Sequence, residues 1–213
     1  MKKDKIKLIC LDLNKTLINE NTWIDLNLAM GMTKKEDDIL FKFYEEGIIT
    51  YSKWQDIIES IYLKRGKATR KNIGKAIFRY TYKKGAKEIV EYLIDKGYKV
   101  ALISSSIDRL VERVSKELNI NLFSAGNKLI FDGKGYLKQL KCLGEEKDVK
   151  LNQLKSFCKR LNIKLENCIC IGDGDNDREL FASTKRGITF SGSKLEDIAW
   201  KVIDELADIK KIL

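Results

Sequence analysis

Three short apolar runs, each followed by a turn and then by a helical pattern, constrain the fold of this chain more than any other feature. The runs are residues 6–11, 99–103 and 167–171. Asp12, Ser104 and Asp173 stand where these runs end. Short buried strands that alternate with helices are typical of an α/β fold with a doubly wound, mostly parallel Rossmann-like sheet. A glycine-containing turn within residues 127–140 adds a predicted hairpin.

A second region, residues 20–82, interrupts this alternation because it shows helical patterns and no strand. Thr33 and Glu36 have the spacing of a capping box, and Gly47 is a plausible helix stop. Further helical patterns cover residues 52–63 and 69–80. We therefore expect a helical cap inserted after the first strand. The expected division is a Rossmann-like core of residues 1–19 and 83–213 and a cap of residues 20–82.

The absence of histidine and the number of cysteines limit the chemistry of the chain. With no histidine, acid–base chemistry must use carboxylates, lysine, cysteine or tyrosine, and a histidine metal site is excluded. The five cysteines are odd in number and match no zinc spacing, so no disulfide framework is expected. Cys168 and Cys170 alternate with isoleucines, which predicts that both pack in the core from one face of a strand.

Charge and hydropathy bear on partners and location. The 41 basic and 31 acidic residues leave a formal net charge of +10, which indicates either an anionic partner or compositional drift, and nucleic acid is not the expected partner. No apolar run approaches the roughly 18 residues that span a bilayer, so no membrane contact is expected. The charged residues 1–5 lead into a short strand rather than a signal peptide, which makes the cytoplasm the expected location.

Three carboxylates lie within five residues after the third apolar run, at Asp173, Asp175 and Asp177. Like charges this close are unfavourable unless a cation or water offsets them. A solvated turn is one interpretation. A calcium loop would need a glutamate at its twelfth position, where Thr184 stands. Oxygen ligands from few carboxylates suit Mg²⁺, which we expect as the cofactor.

Four short motifs resemble those of the haloacid dehalogenase superfamily, in its phosphoserine phosphatase-like branch. Residues 12–16, DLNKT, resemble the DxDxT signature, and Ser104 follows a strand as the second motif requires. Lys150 lies 23 residues before Asp173, as in that branch. Residues 172–177, GDGDND, resemble the fourth motif, GDGxND. The resemblance covers essentially the whole chain and implies the same core and cap.

The resemblance implies a role for each matching residue. Asp12 would be the nucleophile that accepts the phosphoryl group, and Thr16 would steady the first loop. The implied metal ligands are Asp12, the backbone carbonyl of Asn14, Asp173 and Asp177, the last through water or Lys150. The implied phosphate-binding groups are Ser104, Ser105, Lys150 and Asn176, aided by a helix that begins after Ser104. Such a site suits phosphoryl transfer, which depends on charge neutralisation and in-line positioning.

Asn14 departs from the family pattern, because the superfamily has its general acid–base aspartate at this position. An amide can neither donate a proton to the leaving group nor take one from water, and the loss of a general acid–base typically lowers the rate about 10²–10⁴-fold. Three interpretations stay open. The chain acts on substrates with good leaving groups, it uses a carboxylate from the cap or the substrate, or it is a weak or inactive relative that binds phosphate.

The cap is expected to contribute to substrate binding. In phosphoserine phosphatases a cap glutamate and a cap arginine hold the amino acid, and Asn21 and Asp56 stand at the corresponding positions here, so phosphoserine fits poorly. Trp23 and Trp54 are candidate pocket walls, among aromatic residues that otherwise form the core of the cap. The basic run within residues 64–71 is either a solvated loop and helix start or a site for a second anionic group.

These patterns together predict a magnesium-dependent phosphatase or phosphotransferase. It would act on a small phosphorylated metabolite through an aspartyl-phosphate, with a rate that Asn14 lowers. The alternative is a non-catalytic or regulatory phosphate-binding protein of the same superfamily. A third hypothesis, a phosphatase that processes nucleic-acid ends, is supported only by the net positive charge. The sequence leaves the oligomeric state open.

Overall fold

The structure, a computed structural model, describes residues 6–65, 67–144 and 146–213, without the side chains of residues 146 and 147. The charged residues 1–5 therefore lie outside the described part. One mixed sheet contains the strands β1 (Leu8–Leu11), β2 (Lys99–Ile107), β3 (Leu122–Phe131), β4 (Leu137–Cys142), β5 (Cys168–Ile171), β6 (Gly187–Phe190) and β7 (Lys201–Ile203).

The sheet order is β4-β3-β2-β1-β5-β6-β7, and every neighbouring pair is parallel except β3 with β4. The chain winds from β1 towards one edge and then from β5 towards the other. This arrangement confirms the doubly wound, mostly parallel sheet, and the antiparallel pair is the predicted hairpin. In such sheets ligands bind beyond the carboxyl ends of the strands, where the winding direction reverses. Here that point lies between β1 and β5.

The described residues form the helices α1 (Thr22–Ala29), α2 (Lys34–Glu45), α3 (Tyr51–Lys64), α4 (Arg70–Ile77), α5 (Ala86–Asp95), α6 (Asp108–Glu117), α7 (Glu146–Leu161), α8 (Arg178–Thr184) and α9 (Ile209–Ile212). The first four lie within residues 20–82, where the helical segment was predicted. The helix predicted over 69–80 ends at Ile77, three residues early, because the chain then turns back to an isolated bridge between Tyr82 and Ile18. No helix of the described ranges is long and apolar enough to cross a membrane.

The start of α2 shows the predicted capping box. The Thr33 hydroxyl accepts from the Glu36 backbone N–H at 3.2 Å, and a Glu36 carboxylate oxygen accepts from the Thr33 backbone N–H at 2.7 Å. Gly47 follows α2 with a φ of +71°, a left-handed conformation that suits glycine. Local sequence signals therefore set both ends of this helix.

The two faces of β5 pack into different apolar clusters, because successive side chains of a strand point to opposite faces. Ile169 and Ile171 join the larger cluster, which also includes side chains of the helical segment. Cys168 and Cys170 join the smaller cluster together with Cys10, which confirms their predicted shared face. All five cysteines are free thiols.

The strand β2 extends further than the sequence indicated. The apolar pattern predicted a strand over 99–103 with a helix after Ser104, whereas β2 runs to Ile107 and α6 begins at Asp108. The physical reason is pairing with β3, which continues past Ser104 through a register shift to a partner of Ile107. The expected helix N-terminus therefore lies four residues beyond Ser104, and residues 104–106 form an irregular end of the strand.

Candidate active site

Two neighbouring parallel strands, β1 and β5, bring Asp12 and Asp173 together. Asp12 follows β1 directly, and its backbone N–H donates to the carbonyl of Ile171, the last residue of β5, at 2.9 Å. Carboxylate oxygens of Asp12, Asp173 and Asp177 lie within 4.8 Å of one another. The three predicted acidic ligands thus share one position at the point where the sheet reverses its winding.

Lys150 links this cluster from α7, and its side chain is fully buried. Its ammonium donates to Asp12 Oδ1 at 2.9 Å, to Asp177 Oδ1 at 2.7 Å and to Asn176 Oδ1 at 3.0 Å. Burial lowers the pKa of Lys150, but the attraction of Asp12 and Asp177 outweighs burial and raises the pKa above its usual value. Lys150 is therefore a fixed positive charge beside the candidate nucleophile.

The three carboxylates of Asp12, Asp173 and Asp177 carry more negative charge than the single ammonium of Lys150 balances. Burial raises the pKa of Asp173 to about 6, and the like charge of Asp12 adds to the rise. Burial likewise raises the pKa of Asp177 to about 7, against the opposing effect of Lys150. Both shifts have the cause expected for acidic groups crowded in a site of low polarity.

The donor set fits a divalent cation. Asp173 Oδ1 accepts from the Thr16 hydroxyl at 3.0 Å, which fixes the orientation of that carboxylate. Asp177 Oδ2 is buried and has no hydrogen-bond partner among the described residues. A cluster of hard oxygen donors with spare acceptor capacity matches the preference of Mg²⁺. Asp12, Asp173 and Asp177 are the side chains that would hold it.

The serines at the end of β2 line the cavity that contains Asp12 and Asp173. Ser104, Ser105 and Ser106 are all buried, and the Ser106 backbone N–H donates to Ser104 Oγ at 3.2 Å. The Asn176 amide donates to Ser105 Oγ at 3.4 Å. At Gly126, a Cβ would lie 2.9 Å from the Cα of Ser105, so glycine is required beside this loop. The loop thus presents several hydroxyl groups in a fixed arrangement.

Asn14 is held by a residue that the sequence did not single out. The Asn14 amide oxygen accepts from the Thr22 hydroxyl at 2.9 Å and from the Thr22 backbone N–H at 3.4 Å. Thr22 Oγ1 also lies 3.2 Å from Ser106 Oγ. The first turn of α1 therefore contacts both the first motif and the serine loop. The only signal for Thr22 was its place beside Asn21, at the predicted start of the helical segment.

A cavity of about 1070 Å³ opens from this cluster towards the helical segment. Of the predicted residues, Asp12, Asn14, Ser104, Ser105, Asp173, Asn176, Asn21, Trp23 and Trp54 line it. Lys150 and Asp177 lie behind that lining. Lys83, which sequence reasoning missed, also lines the cavity, and its ammonium sits 4.0 Å from the Phe190 ring centroid. Lys83 lies at the predicted boundary between cap and core, and no sequence motif distinguishes it there.

The basic run within residues 64–71 contributes nothing to this lining, and neither does Asp56. Arg65 donates instead to the Glu36 carboxylate at 2.8 Å, and Arg70 stacks 4.8 Å from the Phe131 ring centroid. These contacts favour the interpretation of the run as a solvated loop and helix start, in which Arg65 and Arg70 pack against neighbouring residues.

Sequence comparison places the chain in a known family. The profile of the haloacid dehalogenase-like hydrolases matches residues 9–182. A phosphoserine phosphatase of Streptococcus thermophilus is 33% identical over 161 residues, which cover 68% of this chain and 74% of that protein. A phosphoserine phosphatase of Methanocaldococcus jannaschii is 28% identical over 217 residues, which cover 100% of this chain and 98% of that protein.

Solved structures agree over the full length. A substrate-bound phosphoserine phosphatase complex superposes with a TM-score of 0.83 at 26% identity, covering 99% of this chain and 100% of that chain. A phospho-aspartyl intermediate analogue of phosphoserine phosphatase gives a TM-score of 0.79 at 27% identity, covering 98% and 99%. With the motifs, the sheet order and these relatives in agreement, the chain belongs to the haloacid dehalogenase superfamily as a phosphatase of the phosphoserine phosphatase-like branch.

Proposed function

We propose that the chain is a magnesium-dependent phosphatase or phosphotransferase that acts on a small phosphorylated metabolite through phosphorylated Asp12. One observation carries this proposal. Asp12 is held at the end of β1 by Lys150, beside the carboxylates of Asp173 and Asp177 and across from the serine loop of residues 104–106. A protein without phosphoryl chemistry has no need for this combination of an acidic cluster, a buried lysine and a hydroxyl wall.

In the first step an Asp12 carboxylate oxygen attacks the phosphorus atom of a phosphomonoester. A bond forms between that oxygen and phosphorus, and the ester P–O bond breaks. The leaving oxygen keeps the bonding electrons and takes a proton from water, because Asn14 has no acidic proton to give. Bound Mg²⁺ would neutralise the negative charge of the carboxylate and phosphoryl group. Lys150, Ser104, Ser105 and Asn176 would hold the phosphoryl oxygens, which fixes the in-line geometry that phosphoryl transfer requires.

In the second step water attacks the phosphorus of the aspartyl-phosphate. The bond to Asp12 breaks, the carboxylate is restored, and the attacking water loses a proton to solvent as inorganic phosphate leaves. Asn14 is the side chain beside Asp12 in the family position of the general acid–base, and its amide can orient the water but cannot take its proton. We therefore propose slow turnover on alkyl phosphates and a long-lived phosphoenzyme.

The helical segment, residues 20–82, is proposed as a cap over a core of residues 1–19 and 83–213. Support comes from the cavity, which is lined by strand ends on one side and by α1, α2 and α3 on the other. A cap that moves would admit substrate and then exclude water. The proposed cellular location is the cytoplasm, which cell fractionation would test.

Phosphorylation of Asp12 tests this function directly. The protein is mixed with Mg²⁺ and acetyl phosphate, and intact mass with peptide mapping is used to detect a phosphoryl group on Asp12. We expect phosphorylation of the unmodified protein and none of Asp12→Asn. A panel of phosphorylated metabolites, phosphoserine included, then gives the substrate preference. If no donor phosphorylates Asp12, the alternative of a non-catalytic phosphate-binding protein replaces this proposal.

A further inference from the structure

The helical side of the cavity carries carboxylates alone, whereas the side of the strand ends carries both signs of charge. Lys15, Lys83 and Lys194 line the latter side together with Asp12, Asp173 and Asp175, and Asp173 attracts the Lys83 ammonium. The carboxylates that line the cavity from the helical segment are Asp37, Asp38, Glu45 and Glu46. No lysine or arginine of residues 20–65 or 67–82 contributes to the lining. The organic part of a substrate would therefore meet only negative charge on the helical side.

Three of these carboxylates are already paired at the rim. The pairs are Asp38 with Lys34, Glu45 with Lys194 and Glu46 with Lys42. Asp37 differs, because it is only 4% exposed and no ion pair to it is found in the described chain. Its Oδ1 accepts from the Asn27 amide at 2.7 Å, and the Tyr62 hydroxyl donates in turn to Asn27.

This network fixes the Asp37 carboxylate without neutralising it. Burial raises the pKa of Asp37, and the Asn27 hydrogen bond and the attraction of Lys34, which is itself paired with Asp38, oppose that rise. A buried carboxylate without a close ion-pair partner is unfavourable, and a bound cation would remove that penalty. Asp37 is therefore the carboxylate of the cavity best placed to gain from a cationic ligand.

Aromatic rings form a continuous wall in the same cavity. Trp23 meets Trp54 edge to face at 5.4 Å between centroids, and Trp54 stacks on Tyr51 at 5.6 Å. Tyr44 lies 5.6 Å from Tyr51 and 6.4 Å from Trp54, so three helices contribute rings. The faces of tryptophan and tyrosine rings attract ammonium and quaternary ammonium groups, most strongly in sites shielded from water.

The same wall presents hydrogen-bond donors without partners. Trp23 and Trp54 are 8% and 5% exposed, and the indole N–H of each has no acceptor among the described residues. A buried donor without a partner is rare in a folded protein. Water that enters the cavity with a ligand would supply the missing acceptors. This second observation indicates that the aromatic wall is built for a ligand and does not only form a core.

We propose that the organic part of the substrate is a cationic amino alcohol without a carboxylate, so that the substrate is the phosphomonoester of an alkanolamine or a quaternary ammonium alcohol. This proposal rests on the phosphatase function above and names the substrate class for the same cavity. The phosphoryl group meets Lys150 and the serine loop, and the cationic end meets Asp37 and the aromatic wall.

A carboxylate on the substrate fits this cavity poorly. It could accept from the indole N–H groups of Trp23 and Trp54, but it would lie among the carboxylates of the helical side with no basic residue of that segment as counter-charge. The burial of such an anion is unfavourable by far more than two neutral hydrogen bonds return. The charge pattern therefore favours alkanolamine phosphates over phosphorylated amino acids.

A first experiment measures binding without catalysis. Tryptophan fluorescence is titrated with choline and with its uncharged isostere 3,3-dimethylbutan-1-ol, for the unmodified protein, Asp37→Asn and the matched control Asp38→Asn. We expect choline binding by the unmodified protein and by Asp38→Asn, at least about tenfold weaker binding by Asp37→Asn, and little binding of the isostere. Equal binding of choline and the isostere, or equal affinity in all three proteins, would overturn the proposal.

Ring variants keep the test decisive if Asp37→Asn fails to fold, which circular dichroism would reveal. Tyr44 is half-buried at the cavity, so its substitution is the mildest of the wall. Tyr44→Phe keeps the ring and should bind choline within about twofold of the unmodified protein, whereas Tyr44→Leu should bind it several-fold more weakly. Identical affinities for Phe and Leu at this position would exclude the aromatic contribution.

A second experiment compares substrates that differ by one group. Specificity constants are measured with O-phosphoethanolamine, O-phosphoserine and ethyl phosphate, beside acetyl phosphate labelling of Asp12. We expect O-phosphoethanolamine to exceed each of the other two esters at least about tenfold. If acetyl phosphate labels Asp12 but O-phosphoserine or ethyl phosphate has the higher specificity constant, the proposed substrate class is wrong and the phosphatase function stands. Absence of labelling with intact choline binding would reject the phosphatase function alone.

Discussion

At the scale of single residues, the site depends on how few positive charges offset its carboxylates. Lys150 is fully buried and bonds to both Asp12 and Asp177, while the Asp173 carboxylate accepts from the neutral Thr16 hydroxyl. Removal of one member of a buried ion pair is strongly destabilising, by roughly 3–5 kcal/mol. The lysine is therefore part of the fold as well as of the candidate chemistry.

Asp173→Asn should weaken Mg²⁺ binding by at least about tenfold, because it removes one of the anionic oxygen ligands that the cation prefers. Isothermal calorimetry with Mg²⁺ measures the affinity of both forms. Asp175→Asn is the matched control, since Asp175 lies in the same motif but pairs with Arg178 at the surface. Unchanged affinity in Asp173→Asn would remove this residue from the metal site.

Asn14→Asp should raise turnover of alkyl phosphates by roughly 10²–10⁴-fold, the usual contribution of one general acid–base. The contact with Thr22 survives, because an aspartate oxygen can accept the same bonds as the amide oxygen. The measurement is the steady-state rate together with the lifetime of phosphorylated Asp12, which should shorten. Equal rates for both forms would mean that another group supplies the proton.

At the scale of elements, the helical segment shows how local signals place a helix before any tertiary contact is considered. Thr33, Thr50 and Thr69 cap α2, α3 and α4 with their hydroxyl groups. The strand β2 shows the opposite case, because its last residues are extended only through pairing with β3. Local hydrogen bonds fix where these helices begin, whereas pairing with the neighbouring strand fixes where β2 ends.

Glu36→Gln should destabilise the protein at neutral pH, because the Arg65 guanidinium and the Thr33 backbone N–H lower the pKa of Glu36 to about 2. A depressed folded-state pKa contributes stability above the usual value of 4.5, and this stability is lost as the pH falls from 4.5 towards about 2. Thermal unfolding of both proteins across this range measures the effect. A difference in Tm that stays constant with pH would contradict the assignment.

At the scale of the whole molecule, one exposed ion pair bridges the mouth of the cavity. Lys194, in the segment after β6, lies 3.2 Å from Glu45 at the end of α2. Exposed pairs contribute only about 0–1 kcal/mol, so this contact adds little to the backbone bonds that join the helical segment to the hairpin, such as Leu137 N–H to the Ala68 carbonyl at 2.8 Å. The proposed cap movement would open the Glu45 side of the cavity while that join stays in place.

A cross-link between Glu45→Cys and Lys194→Cys should lock the proposed cap and block turnover of phosphomonoesters until a reductant is added. A short bis-methanethiosulfonate reagent forms it, because the two long side chains that meet here leave their backbones too far apart for a direct disulfide. The five native cysteines are free, and four of them are buried, so selective cross-linking of the new pair is feasible. The rate is measured before and after reduction, with each single cysteine variant as a control. Full activity of the cross-linked double variant would show that no opening between these two segments is needed.

The sequence by itself determined the sheet and the candidate residues at its edge. Strand periodicity placed Asp12, Ser104 and Asp173, because the carboxyl ends of parallel strands meet at one edge, and the family resemblance added Lys150. These signals are local, and each is readable within a few residues. The capping box at Thr33 and the shared face of Cys168 and Cys170 follow the same logic.

Only the tertiary structure decided what surrounds that site. The contact of Thr22 with Asn14, the position of Lys83 at the cavity and the burial of Asp37 depend on how the helices pack on the sheet. No short-range pattern marks such residues, since a polar side chain on a helix is ordinarily solvated. The charge and ring pattern of the cavity, and with it the proposed substrate class, therefore emerges only when the helices pack over the sheet.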